Sequence, residues 1–405
     1  MSVKKGEEEM ERYLFQNAEI IFPTGIRPGQ VLTENGKIKQ IFEKNQPVAP
    51  APGVRVVDAR GMYLSPGFID IHTHGGGGAD FMDGDPESIR TACKMHMAHG
   101  TTAIVPTTMT STKESLLNCL ELFEKVEARE EELPEILGLH LEGPYFSYGQ
   151  RGAQSPENLR NPEPEEYVEA CKKSSKICRW SFAVELEGAE DFLQFLREKG
   201  IVASLAHSDA DCEQVKRACD QGLKAMTHFY SGMSGVTRKN AYRAAGAIEA
   251  GYLLDQLFVE VIADGCHLPG DLLQLIYKIK GAHRICLVTD SMRGAGMPEG
   301  EYILGGREGG IATIVEEGVA KLPDRSAFAG SVATMDRLVR TMHELTTAPL
   351  HEVIHMASLT PAMLMGIDGK KGSVSPGKDA DLLLLNEKLE VNLVMVRGRI
   401  ISFPE

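Results

Sequence analysis

The chain has eight cysteines, at 93, 119, 171, 178, 212, 219, 266 and 286, and no C-x-x-C pair among them. A paired-cysteine metal or redox site is therefore not expected. Several of these residues, Cys93 and Cys286 among them, lie within apolar stretches, which suits buried, reduced thiols in a cytoplasmic protein. No apolar run is long enough to span a bilayer. The charged opening, Met1 to Arg12, lacks the apolar core of a secretory signal, and residues 1–13 are expected to form a frayed acidic lead-in. Positive charge is also in deficit: 43 Lys and Arg against 57 Asp and Glu leave a net charge of −14. Nucleic acid and anionic membranes are poor partners for such a chain. No G-x-G-x-x-G motif follows the first strand of the central region, so Gly75–Gly78 is better taken as a mouth loop than as a phosphate cradle.

What is present is 405 residues, 42% hydrophobic and 25% charged, the balance of an ordinary globular protein. Short alternating runs separated by Pro and Gly fill Tyr13 to Tyr63, as in a small antiparallel sheet. The same signature returns at Asp381 to Leu385 and at Val391 to Ile401, so one small β-sandwich domain built from both termini, 1–65 and 366–405, is expected. Between them, over 66–365, strand-like runs occur at 68–72, 101–106, 136–142, 180–185, 201–207, 223–228, 257–263 and 285–290, alternating with helical patterns. Eight such alternations predict an α/β fold of the (β/α)8 TIM barrel type, with a doubly wound sheet as the alternative.

In a barrel, chemistry gathers where the strands meet their following loops. Those ends carry His72 and His74, Glu142, His207, His228 and Asp290. His72 and His74, two residues apart on a strand, face the same side. Four imidazoles and two carboxylates at one mouth are hard to assign to packing, since buried carboxylates are costly without a cation. Nitrogen and oxygen donors without a thiolate suit a divalent metal such as zinc, iron or manganese.

The stretches Pro66-Gly67-Phe68-Ile69-Asp70-Ile71-His72-Thr73-His74, Gly138-Leu139-His140-Leu141-Glu142-Gly143-Pro144, Leu205-Ala206-His207-Ser208, Thr227-His228-Phe229, Ala263-Asp264-Gly265-Cys266-His267 and Val288-Thr289-Asp290-Ser291 together resemble the amidohydrolase superfamily. Within it they resemble the N-acetylglucosamine-6-phosphate deacetylase family. The resemblance implies hydrolysis of the N-acetyl amide of an amino sugar. It implies that Glu142, His207 and His228 hold the tighter metal, and that His72 and His74 complete a second site found in only some members. Asp290 would be general base and then general acid, His267 a substrate contact, and Phe328-Ala329-Gly330 a loop near the acetyl group. A homodimer with one or two metals per subunit is implied as well.

Two departures stand out. Single-metal relatives place a carbonyl-polarising histidine where this chain has Gln154; a second metal on His72 and His74 would supply that polarisation instead. The turn after the strand-six histidine is Ser231-Gly232-Met233, followed by Thr237-Arg238-Lys239-Asn240-Ala241-Tyr242-Arg243, an altered form of the family's phosphate segment. Arg238, Lys239 and Arg243 are candidates for an anionic substrate, with a solvated basic loop as the alternative. N-acetylgalactosamine 6-phosphate and unphosphorylated sugars therefore stay open as substrates. A cyclic-amide hydrolase with a strand-four lysine is disfavoured, because Trp180 to Glu185 has none. A catalytically inactive scaffold is the alternative of another class.

Two histidine motifs are set aside. His351-Glu352-Val353-Ile354-His355 matches the zinc-protease H-E-x-x-H, but its apolar stripe would leave both histidines on the helix flank, and no third ligand follows. His96 and His99 close a helix, where histidine complements the helix dipole. His140 shares a strand face with Glu142 and is expected behind the ligands.

Overall fold

The computed structural model describes residues 11–401 except 45, 47, 49, 128 and 131. Most of the acidic lead-in lies outside the described residues. Eight parallel strands form the barrel: Phe68–Thr73, Thr101–Thr108, Leu139–Glu142, Ile177–Phe182, Val202–Leu205, Ala225–Met226, Phe258–Val261 and Ile285–Leu287. Each pairs in parallel with the next in sequence. The ring closes just beyond the last strand, where the Asp290 N–H donates to the His72 carbonyl at 2.9 Å. The Thr289 hydroxyl donates to the Asp70 carboxylate at 2.6 Å in the same place. Strands covered by side chains inside and helices outside are buried on both faces, which is why they stood out as near-continuous apolar runs. Phe68–Thr73 and Thr101–Thr108 are buried at every position.

Helices fill the outer layer where amphipathic periodicity and caps agree. Ala189–Lys199 ends on Gly200 at φ 71°, a left-handed cap. Asp211 and Gln214 form a capping box on Cys212–Gln221. The fourth strand begins earlier than expected, at Ile177, because it contains Arg179, a charged side chain with no solvent exposure. An antiparallel meander, Gly300–Leu304, Ile311–Glu316 and Val319–Lys321, follows the eighth strand and was not foreseen.

The strands flanking the barrel in sequence join in one eight-stranded sheet with its own core around Phe15, Ile20, Leu64, Leu382 and Met395. The long strand Arg12–Phe22 pairs first with Val54–Asp58 and then with Tyr63–Pro66, changing partner around Asn17 at φ 55°. Antiparallel pairing of Leu382–Leu385 with Tyr63–Pro66 brings the two ends of the chain together.

A buried lysine fastens this sheet to the barrel. Lys371 Nζ lies 2.8 Å from Glu135, 3.0 Å from Asp379 and 2.6 Å from Asp381. Burial disfavours its charge, and the carboxylates overcome that and raise its pKa. Lys371→Met leaves buried carboxylates uncompensated and should destabilise the protein by about 3–5 kcal/mol in urea unfolding.

The H-E-x-x-H helix, Leu350–Ala357, corrects one expectation: His355 is buried, not on the flank. Its Nδ1 pairs with Thr360 Oγ1 at 2.8 Å, and its ring meets His283 edge-on. Glu352 accepts from the Tyr277 hydroxyl at 2.7 Å, so the motif is spent on packing. His96 also differs from expectation. Burial pushes its pKa down to about 4, so it carries no charge to the helix dipole and bonds instead to Thr73 and the Gly75 carbonyl.

Candidate metal centre

The barrel's strand ends bring the six sequence-picked residues to one mouth. His72 and His74 present Nε2 atoms 3.4 Å apart. Glu142, the last residue of the third strand, stands between two imidazole pairs. Its Oε1 lies 2.9 Å from His228 Nε2 and 3.6 Å from both His207 and His72 Nε2, and its Oε2 lies 3.5 Å from His74 Nε2. Asp290 Oδ1 is 3.1 Å from His74 Nε2 and 3.3 Å from His72 Nε2. Two groups with metal-holding geometry result, His72–His74–Glu142 and Glu142–His207–His228, sharing Glu142.

The local backbone is unusual at these positions. His207, His228 and Asp290 adopt φ of 45°, 34° and 46°, left-handed conformations that cost free energy in non-glycine residues. Such strain collects where surrounding structure over-determines a functional geometry. Gly232, at φ 60°, allows the chain to pass against His207: a Cβ there would sit 2.7 Å from Nδ1.

The donor set fits a divalent ion on internal grounds. His207 Nδ1–H donates to the Gln150 carbonyl at 2.7 Å, and His72 Nδ1–H donates to Glu260 at 3.0 Å. Each ring then keeps a lone pair on Nε2, aimed at a second imidazole 3.2 or 3.4 Å away. A lone pair at that range needs a positive centre facing it, either a proton on the second ring or a metal ion between the two. Electrostatics says the same. Burial disfavours charge on His228, yet the hydrogen bond and charge of Glu142 push its pKa up to about 9. His72 and His74 are raised as well, against burial, by the surrounding carboxylates. Burial would raise Glu142, but His207 and His228 hold it well below the usual carboxylate range. The cluster asks for positive charge.

A cavity of about 190 Å³ opens over these residues. Gln154, Ser231, Gly232, His267, Phe328 and Gly330 line it with His74, Glu142 and Asp290. Gln154 is fixed: its amide donates to Glu142 Oε2 at 2.8 Å and its oxygen accepts from the Thr110 N–H at 3.0 Å. His267 Nδ1–H donates to Asp264 at 2.8 Å, and its ring lies against Phe328. Three expectations place differently. Ala329 is buried in an apolar cluster with Met109, Met292, Leu304, Val315 and Ala320, and its N–H donates to the Ala320 carbonyl. Arg238 and Arg243 are exposed on a hairpin, Thr237–Lys239 with Tyr242–Ala244, and neither lines the cavity, while the Lys239 side chain lies outside what the structure describes.

Sequence reasoning missed Glu260 and Arg179, which are buried beneath the mouth. Arg179 pairs with Glu260 and reaches Ser204 and Thr227 through Nη2, at 2.9 and 3.0 Å. The available signal was a charge inside an otherwise apolar barrel strand, Ile-Cys-Arg-Trp-Ser-Phe and Phe-Val-Glu-Val. His140 lies where expected, between Thr107 and Ser181, with its ring edge-on to His72.

Comparison with known proteins agrees with this architecture. The Amidohydrolase family model matches residues 63–401. The chain is 34% identical to an N-acetylglucosamine-6-phosphate deacetylase of Lysinibacillus sphaericus, over 91% of this chain and 92% of that one. It is also 34% identical to an N-acetylgalactosamine-6-phosphate deacetylase of Escherichia coli O157:H7, over 88% and 92%. A solved structure of an N-acetyl-D-glucosamine-6-phosphate deacetylase variant from Mycobacterium smegmatis, in complex with N-acetyl-D-glucosamine-6-phosphate, superposes with a TM-score of 0.88 at 28% identity. That superposition covers 97% of this chain and 100% of the other. With a family model spanning most of its length and relatives matched nearly end to end, this chain belongs to the amidohydrolase family.

Proposed function

We propose that the protein is a metal-dependent deacetylase that hydrolyses N-acetylglucosamine 6-phosphate to glucosamine 6-phosphate and acetate. The observation that carries this reading is the Glu142 carboxylate shared by two imidazole pairs, with Asp290 beside them in the same cavity. Glu142, His207 and His228 would hold one divalent ion, and His72, His74 and Glu142 a second, zinc being the first choice for such donors and iron or manganese the alternatives. When bound, the ion acts as a Lewis acid and lowers the pKa of water.

The chain's own groups perform the proton work. Burial disfavours charge on Asp290, but His72 and His74 outweigh it and hold the carboxyl below its usual range. An ionised Asp290 accepts the proton of the attacking water and then returns it to the departing amine nitrogen. His267, its Nδ1–H committed to Asp264, offers Nε2 to a sugar hydroxyl. Phe328 and Met109 give the cavity an apolar side suited to the acetyl methyl. Arg238 and Arg243, outside the cavity's lining, and Lys239 beside them in sequence are the candidates for positive charge at the 6-phosphate.

A homodimer is part of this reading, supported by Val236 and Tyr242 on and beside that hairpin, 60% and 80% exposed. A cytoplasmic location is supported by eight unpaired cysteines. Among the described residues no helix is long and apolar enough to cross a membrane.

The test is acetate release from N-acetylglucosamine 6-phosphate, N-acetylgalactosamine 6-phosphate and unphosphorylated N-acetylglucosamine. The first should give the highest kcat/KM. Preference for the galactosamine epimer, the substrate in one relative's name, would replace the sugar and keep the reaction. Equal rates with and without phosphate would remove the anion-binding role of the hairpin.

A further inference from the structure

Glu260 lies on the seventh barrel strand with no solvent exposure and does not line the cavity. Its carboxylate is divided between groups from separate strands. Oε1 takes the guanidinium of Arg179 from the fourth strand. Oε2 accepts the Nδ1–H of His72 from the first strand at 3.0 Å and the backbone N–H of His228 at 3.2 Å. Arg179 is pinned in turn by Ser204, Thr227 and the Ile71 carbonyl.

The other imidazoles of the centre are held differently. His207 leans on a backbone carbonyl, and Nδ1 of His74 and of His228 has no hydrogen-bond partner. Among the four, His72 alone has its rear nitrogen fixed by another side chain. A carboxylate there sets the tautomer, keeps the proton on Nδ1 and leaves the Nε2 lone pair facing Glu142 and Asp290. Arg179 makes that arrangement tolerable, because an unpaired carboxylate in the barrel interior would be strongly penalised.

We propose that Glu260, oriented by Arg179, is the positioning residue that lets this chain hold a second divalent ion, by fixing His72 as a ligand. The proposal rests on the two-ion reading of the centre. Glu260→Gln separates the roles with little change in shape. The charged Arg179 outcompetes the neutral His228 N–H for the amide oxygen, so the oxygen turns to Arg179 and the NH2 faces His72. His72 must then accept on Nδ1 and carry its proton on Nε2, where it cannot ligate.

The test titrates zinc alone into metal-free wild type, Glu260→Gln and the double variant Arg179→Met/Glu260→Gln, reading bound metal per chain and the His72 ring-nitrogen resonances. Wild type should bind two ions. Glu260→Gln should keep the first ion within about twofold and bind the second about 10–100-fold more weakly, with the His72 tautomer reversed. In the double variant the amide is free to turn its oxygen to His72, and second-ion affinity should recover. A Glu260→Gln variant that binds both ions as tightly as wild type, or loses both equally, overturns the proposal. Should that variant fail to fold, a folded double variant with a weak second ion and a reversed His72 tautomer overturns it. A wild type that takes up a single ion overturns the two-ion reading itself, and the proposal with it.

Discussion

Asp290→Asn should lower kcat for acetate release by about 10²–10⁴-fold while leaving bound metal near the wild-type amount. Asparagine keeps the shape of the side chain and its place beside His74 and His72, 3.1 and 3.3 Å away. It cannot take a proton from water or return one to an amine. The backbone there is left-handed at φ 46°, a conformation asparagine accepts at least as readily as aspartate, so no folding defect is expected. Measuring kcat and metal content on one preparation separates lost proton transfer from a lost ion. If metal content falls in step with activity, Asp290 is chiefly a ligand.

Glu142→Ala should have the larger effect on the centre, because both metal-capable groups use this residue. Truncation removes the only carboxylate they share and leaves four imidazoles crowded together, which repel once any is protonated. Bound metal should fall to near zero, and acetate release to background. The damage extends to Gln154, whose amide would lose its acceptor while its oxygen stayed tied to Thr110. By contrast, His72→Ala leaves Glu142, His207 and His228 in place and should remove one ion and most of the activity. Full activity with one ion in that variant would show that His72 and His74 are dispensable to turnover.

The fold was legible where one physical cause dominates the local sequence. Barrel strands buried on both faces produce apolar runs, and the i, i+2 spacing of His72 and His74 places both rings on one side of a strand. Glu142, His207, His228 and Asp290 were legible because barrel chemistry sits at strand ends. The illegible parts depend on partners distant in sequence. Arg179 and Glu260 are conspicuous charges in apolar strands, but each makes sense only beside the other, and that pairing shifted the apparent start of the fourth strand. His355 looked like a flank residue until Thr360 and His283 gave its ring a buried place. The meander after the eighth strand carries Leu304 to the cavity and leads toward Phe328 and Gly330, yet nothing in its composition marked it as part of the mouth.

The most direct measurement is a metal titration of activity. Protein stripped with a chelator is titrated with zinc, iron(II) or manganese while acetate release from N-acetylglucosamine 6-phosphate is followed. The stripped protein should be inactive, and activity should rise with added metal and saturate at two equivalents per chain. A stripped protein that releases acetate at the full rate, or a fully loaded one that releases none, would contradict a metal-dependent deacetylase built on Glu142.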